Sequence, residues 1–207
     1  MHRVLDITIA GTGLVVSSPF LAAAAVAVKL QDGGPVLYRQ TRVGRDGVDF
    51  ELLKLRTMVV GAEKQGAGYA VDRGDARITR TGRLLRRLSL DELPQLWNVV
   101  RGDMSVIGPR PTLRYQVDQY DERQLHRLDV KPGITGWAQI HGRATLPWAD
   151  RIELDLWYVR HHDWKTDLLI LLRTPLSLFG GTYKGATGGW TAATPPSSGA
   201  DAEPPAR

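Results

Sequence analysis

From Ile7 to Val28 the chain runs for 22 residues without a charged side chain, and that run dictates a relation to a membrane before anything else can be read. A helix needs about 20 apolar residues to cross a hydrocarbon core, so the length suffices. Ser17-Ser18-Pro19 falls near the middle of the run. Proline there deletes one helical hydrogen bond and crowds the preceding turn, which predicts a kink or a reversal. Three forms fit: a plain transmembrane helix, a signal peptide cleaved near Ala22 to Ala25, or a broken helix that dips into one leaflet and returns. Asp6 beside the run counts against the signal peptide, whose leading region should be net positive.

The remainder of the 207 residues suffices for one compact domain with appendages. Val36 to Val43 and Val48 to Met58 flank Arg45-Asp46-Gly47, and Asp-Gly between two strand-forming runs marks a β-hairpin. Residues 61–75 carry four glycines without periodicity and read as a surface loop. Between Ile78 and Leu88, Arg80, Arg83 and Arg87 share one side of a helical wheel while Leu84, Leu85 and Leu88 share another. Such a helix either lies in a lipid interface or packs on a core. Short helices are expected over Leu93–Val100 and Tyr115–Leu128, a short strand over Thr135–Ile140, and a helix from Pro147 to about His161. Asp167–Phe179 is apolar but too short to span a bilayer and is broken by Arg173 and Pro175, so it is a core helix or an interfacial one. The composition from Gly180 onward cannot bury enough apolar surface to order itself, and residues 180–207 are expected to be a disordered tail.

Chemistry is concentrated at Ser89-Leu90-Asp91-Glu92-Leu93-Pro94. Two adjacent carboxylates follow an arginine cluster (Arg83, Arg86, Arg87) and precede Arg110, which lies between two prolines. Carboxylates bind divalent cations, attack as nucleophiles or move protons, and arginines neutralise phosphate oxygens, so the combination points to phosphoryl chemistry. The competing structural account makes Ser89 and Glu92 a capping box, or Asp91 the cap of the next helix, since Pro94 sits badly inside a helix begun at Ser89. Arginine outnumbers lysine 21 to 6 in a chain of net charge +5, a bias that suits bidentate grip on phosphate. With no cysteine, any metal must sit on oxygen or imidazole. Nucleic acid is disfavoured as a partner, because neither interleaved exposed aromatics nor a binding motif accompanies the arginines.

The blocks SLDELPQLWNVVRGDMSVIGPRP, KPGITGWAQIHGR and ELDLWYV resemble the bacterial sugar transferase family, the monotopic phosphoglycosyl transferases. HRVLD, SSP, GGPVLYRQTRVGRDG, FELLKLRTM, ARITRTGRLLRR and DLLILLRTP extend the likeness in order over about residues 2 to 176. The departures are His2 where lysine is usual, Ala76 for proline, and His141 for asparagine.

The resemblance implies an α+β fold, mainly helical, with a re-entrant membrane helix at residues 1–30 broken at Ser18 and Pro19. A catalytic core would follow at 31–179, with a small β-hairpin and short amphipathic interfacial helices. It implies that Asp91 and Glu92 are the catalytic pair and the ligands of Mg2+. Arg86 and Arg110 are implied as phosphate contacts, with Arg143, Lys54 and Arg56 as further ones and Asp155 as another site residue. Asp91 would attack the β-phosphate of a UDP-sugar, expel UMP and hold the phosphosugar until polyprenyl phosphate removes it. The lipid bilayer is then the third partner, and the bacterial plasma membrane, at its cytoplasmic face, the place where surface glycan synthesis begins. The family's larger members carry extra segments ahead of this core, so transfer activity alone is expected of this chain.

Overall fold

The computed structural model describes residues 3–65, 74–142 and 146–179, with residues 178 and 179 described by backbone only. The expected tail at 180–207, and most of the glycine-rich loop, lie outside those residues. The protein is mainly helical with a small antiparallel hairpin.

Helix α1 spans Arg3–Asp32. Arg3, Asp6, Ala10, Gly13, Ser17, Ala24, Val28 and Gln31 recur at helical spacing on one face, and every one of them is buried or contacts another element of the fold. Small residues on that stripe let the neighbours approach, as where Gly13 lies against Leu96. The opposite face leaves Val4, Val15, Val16, Phe20, Val26 and Leu30 exposed. Helical backbone continues on both sides of Pro19. The carbonyl that loses its donor to this proline is that of Val15, and the Ser18 hydroxyl donates to it at 2.8 Å. Serine before proline thus repairs the bond that proline removes.

Strands β1 (Leu37–Val43) and β2 (Asp49–Leu55) pair from Leu37–Leu55 to Val43–Asp49, as the sequence predicts. Asp46 and Gly47 turn the chain at φ 57° and 74°, the left-handed region that Asp-Gly tolerates. Helix α2 (Arg80–Arg87) is capped by the Thr79 hydroxyl, which accepts from the Gly82 amide at 2.9 Å. Gly82 is required there: a Cβ would fall 2.0 Å from the Thr57 carbonyl oxygen. Helix α3 (Gln95–Arg101) docks on β2 through Asn98, a residue with no exposure. Its amide donates to the Glu51 carbonyl at 2.7 Å and accepts from the Leu53 amide at 3.1 Å.

Strand β3 (Ser105–Ile107) runs parallel to β4 (Gly133–Thr135). Between them lie the one-turn helices α4 (Arg114–Val117) and α5 (Glu122–Leu125). The single helix predicted over 115–128 is therefore divided, because Asp121 starts a new one: its carboxylate accepts from the Gln124 amide while the Gln124 side chain accepts from the Asp121 amide. The strand predicted at 135–140 is likewise corrected. Strand character ends at Thr135, and Trp137–Ile140 forms helix α6.

Helices α7 (Trp148–His161) and α8 (Trp164–Phe179) complete the fold. The main core gathers Ala10, Leu52, Val99, Met104, Val106, Ile107, Trp137, Tyr158 and Ile170. The last helix, α8, packs on the core along one face and leaves an apolar face exposed. Ile170 is fully buried, whereas Trp164, Leu168, Leu172 and Leu176 form an exposed stripe at intervals of four residues.

Candidate active site

The acidic pair occupies a corner between α2 and α3. Ser89 adopts φ 55°, a left-handed conformation unusual for serine, and so turns the chain out of α2. One 3-10 turn, Leu90–Glu92, follows before Pro94 begins α3. Neither capping account holds: the Ser89 side chain makes no cap bond, and Pro94 rather than Asp91 stands at the N-cap of α3. The two carboxylates are thus free of the roles that helix ends would give them.

Their environments differ. Glu92 pairs with Lys54 at 3.2 Å and with the Arg110 guanidinium, which also reaches its second oxygen at 3.4 Å. Burial opposes its charge, but Arg110 and Lys54 outweigh burial and hold the carboxyl well below the usual range. Asp91 is only 9% exposed, and among the described residues no donor bonds its side chain. Burial first and the adjacent Glu92 second push its pKa up, against Lys54, Arg86 and Arg110. Adjacent carboxylates driven in opposite directions are a recurrent feature of sites where each has a separate task.

The cations come from separate elements. Lys54 projects from β2, where burial lowers its pKa and Glu92 opposes that. Arg86 lies on α2, its Nε donating to the Thr57 hydroxyl at 2.8 Å. Arg110 follows β3 between Pro109 and Pro111. A fourth, Arg42 on β1, was not singled out in the sequence. It is pushed down to about 10 by burial and by Arg110 beside it, and donates to the Pro111 carbonyl at 3.1 Å. Alternation along β1 puts Arg42 on the same side as Gln40, whose side-chain oxygen it also bonds, and that period was the available signal. Among the described residues Lys54, Arg42, Arg86 and Arg110 surround the two carboxylates, a cationic setting that suits a phosphate ligand.

Other residues read from the sequence are placed elsewhere. Arg56 turns away from the acids: it grips Asp32 through two bonds of 2.5 and 2.6 Å and the Pro35 carbonyl at 2.6 Å, fastening the end of α1 to β2. Asp155 is 2% exposed and bound to Arg127 at 2.7 Å, behind the site rather than in it. The His141 ring lies tilted against Trp137, with ring centroids 4.2 Å apart. Arg143 lies outside the described residues. Arg127 and Thr57, which support site residues from behind, were not singled out.

The carboxylates admit magnesium in one manner only. Both oxygens of Glu92 already meet Arg110, and among the described residues no cluster of three His, Asp or Glu side chains exists. Asp91 is the available ligand. Mg2+ is commonly held by one or two carboxylates together with substrate phosphate oxygens, and the residues fit an ion of that kind.

Comparison with known proteins identifies the family. The sequence profile described as bacterial sugar transferase matches residues 1–181. An uncharacterised sugar transferase, EpsL, of Bacillus subtilis is 44% identical over 174 residues, which are 84% of this chain and 85% of that protein. The UDP-glucose:undecaprenyl-phosphate glucose-1-phosphate transferase of Caulobacter vibrioides is 44% identical over 184 residues, 85% of this chain and 68% of that one. The UDP-N-acetylgalactosamine-undecaprenyl-phosphate N-acetylgalactosaminephosphotransferase of Aeromonas hydrophila is 43% identical over 180 residues, but the chain spans only 42% of its length.

Proposed function

The chain belongs to the bacterial sugar transferase family, and from that footing we propose that it transfers a sugar 1-phosphate from a UDP-sugar to undecaprenyl phosphate through a phosphosugar held on Asp91. The observation that carries this reading is the division of labour in the acidic pair: Glu92 is neutralised by Lys54 and Arg110, while Asp91 makes no bond within the described residues. Several relatives are named as UDP-sugar transferases acting on undecaprenyl phosphate.

In the first step an Asp91 oxygen attacks the β-phosphorus. The bond from that phosphorus to the bridging oxygen breaks, UMP leaves with the electron pair, and an acyl phosphate to the sugar remains. In the second an oxygen of undecaprenyl phosphate attacks the same phosphorus and frees the Asp91 carboxylate. Dividing the transfer lets one site serve a soluble donor and a lipid acceptor in turn. Lys54, Arg42, Arg86 and Arg110 bind and orient the diphosphate, and their fixed charge needs no rearrangement as negative charge moves to the leaving phosphate. Asp91 would be the residue that holds Mg2+, which would supply further charge neutralisation at the diphosphate.

The acceptor sets where the enzyme must stand. The exposed apolar face of α1, Leu84 and Leu88 of α2, and the α8 stripe are surfaces that lipid covers favourably. Helix α1 is a re-entrant anchor on this reading, because both of its ends are bonded to the same catalytic body. Active-site chemistry then proceeds at the cytoplasmic headgroup level of the bacterial plasma membrane.

Intact-mass measurement after incubation with UDP-sugar and Mg2+ alone tests this. We expect an added sugar phosphate, lost on addition of undecaprenyl phosphate and absent from Asp91→Asn, and its mass identifies the sugar class. Continued turnover in Asp91→Asn would refute the assignment.

A further inference from the structure

We propose that Arg127, braced by Asp155, is a positioning residue that aims Arg110 at the diphosphate, an inference that rests on the transfer reaction above. Arg110 sits between Pro109 and Pro111, neither of which has an amide hydrogen, so backbone hydrogen bonding gives this segment little support. Backbone amides reach only its outer carbonyls, Gly133 that of Pro109 at 2.8 Å and Val43 that of Thr112, and the two inner carbonyls are held by side chains. The Arg127 guanidinium donates to the Arg110 carbonyl at 2.6 Å and to the Thr112 hydroxyl at 3.2 Å. Arg42 takes the intervening Pro111 carbonyl, and the Val43 amide takes that of Thr112 at 3.0 Å.

Arg127 is itself immobilised. Only 5% exposed, it donates to Asp155 at 2.7 Å and to the Tyr120 hydroxyl oxygen at 2.9 Å, and it lies 5.9 Å from the centre of the Trp148 ring. A buried arginine requires a buried counter-charge, and Asp155 supplies it without access to substrate. The guanidinium fork can hold two acceptors on one extended segment and a carboxylate on a helix at once, a geometry that lysine does not reproduce. The assembly therefore joins α7, the turn that follows α5, and the segment after β3, and converges on Arg110, which shares Glu92 with Lys54. This gives Asp155, invisible from the active-site cleft, a definite task. It also explains why a charged pair occurs at a depth where apolar side chains would pack more simply.

A double-mutant cycle tests whether Arg127 acts through Arg110. UDP binding by calorimetry and transfer rates are measured for Arg127→Gln, Arg110→Gln and the pair, all in lipid nanodiscs. We expect Arg127→Gln to weaken UDP binding and to lower kcat/KM at least tenfold, yet to add less than about twofold once Arg110 is already glutamine. Equal losses in both backgrounds would overturn the positioning role and leave Arg127 a general support of the fold. Should Arg127→Gln fold poorly, Asp155→Asn keeps the shape and one acceptor while removing the counter-charge, and the same cycle applies to it. A parent protein that neither binds UDP nor transfers phosphosugar would instead refute the underlying reaction.

Discussion

The carboxyl of Asp91 is held in an environment that disfavours its charge, and that has a consequence for stability independent of activity. Its folded pKa is raised, by burial and then by Glu92, above the ordinary value of 3.8. The folded protein therefore binds this proton more tightly than the unfolded chain does. The resulting stability is fully present below the unfolded pKa and is lost as pH rises through the folded one. Above its folded pKa the ionised carboxylate is a net cost, carried because an ionised nucleophile is needed. Asp91→Asn should accordingly melt higher than the parent at pH 7, on the order of a few degrees for a chain of this size. That advantage should shrink to nothing as pH falls below the ordinary carboxylate range. Glu92→Gln in the same comparison should reduce the advantage, since it removes one of the causes of the shift. Thermal melts across pH check both signs, and a less stable Asp91→Asn at neutral pH would contradict this account. Glu92 has the opposite sign: Arg110 and Lys54 hold it low, so its charge is accommodated throughout the working range.

Among the elements, those whose pattern depends on their own residues were legible beforehand. The hairpin follows from Asp46-Gly47 between β-formers, and α2 from its separated arginine and leucine faces; both form where expected. Elements decided by distant partners were not. Nothing local announces that β4 pairs with β3, a parallel contact across 28 residues from Ser105 to Gly133, or that Trp137 should begin a helix directly afterwards. At the site the acids and Arg110 stood out because their residue types are adjacent in sequence. Arg42, Thr57 and Arg127 reach it only through folding, and Arg56, plausible from its block, is drawn off by Asp32. Helix α8 shows what pattern can and cannot decide: composition left core and interface open, and the structure buries one face and leaves the other, apolar one exposed. The absence of cysteine makes a direct test available. A single Leu172→Cys carrying a polarity-sensitive dye should shift its emission to the blue on addition of anionic vesicles, whereas Glu122→Cys on α5 should not. Identical spectra for the two would remove α8 from the membrane-facing surface.

For the molecule as a whole, the decisive relation is between the apolar helix and the catalytic body. A straight helix of 30 residues would extend about 45 Å, enough to cross a bilayer, and the sequence alone left that open. The contacts argue otherwise. Near one end Arg3 donates to the Val99 and Val100 carbonyls at the close of α3, at 2.5 and 2.6 Å, and Asp6 accepts from the Ser105 hydroxyl and the Val106 amide, each at 2.8 Å. Near the other end Asp32 grips Arg56, and Gln31 accepts from the Thr81 amide at 3.2 Å. Placing the two ends on opposite sides of a membrane would break one of these sets. The loss would be severe at the Asp6 end, where two buried donors would lose their acceptor at about 1–3 kcal/mol each. Both ends should therefore face the cytoplasm, with the apolar flank of α1 entering one leaflet. Single cysteines at His2 and at Val48 in the hairpin turn distinguish the two arrangements in intact cells treated with a membrane-impermeant thiol reagent. We expect both to stay unlabelled until the membrane is permeabilised, and then to label together. Labelling of the residue 2 cysteine alone in intact cells would mean that α1 spans the bilayer, and the contacts at Asp6 and Asp32 could not then coexist.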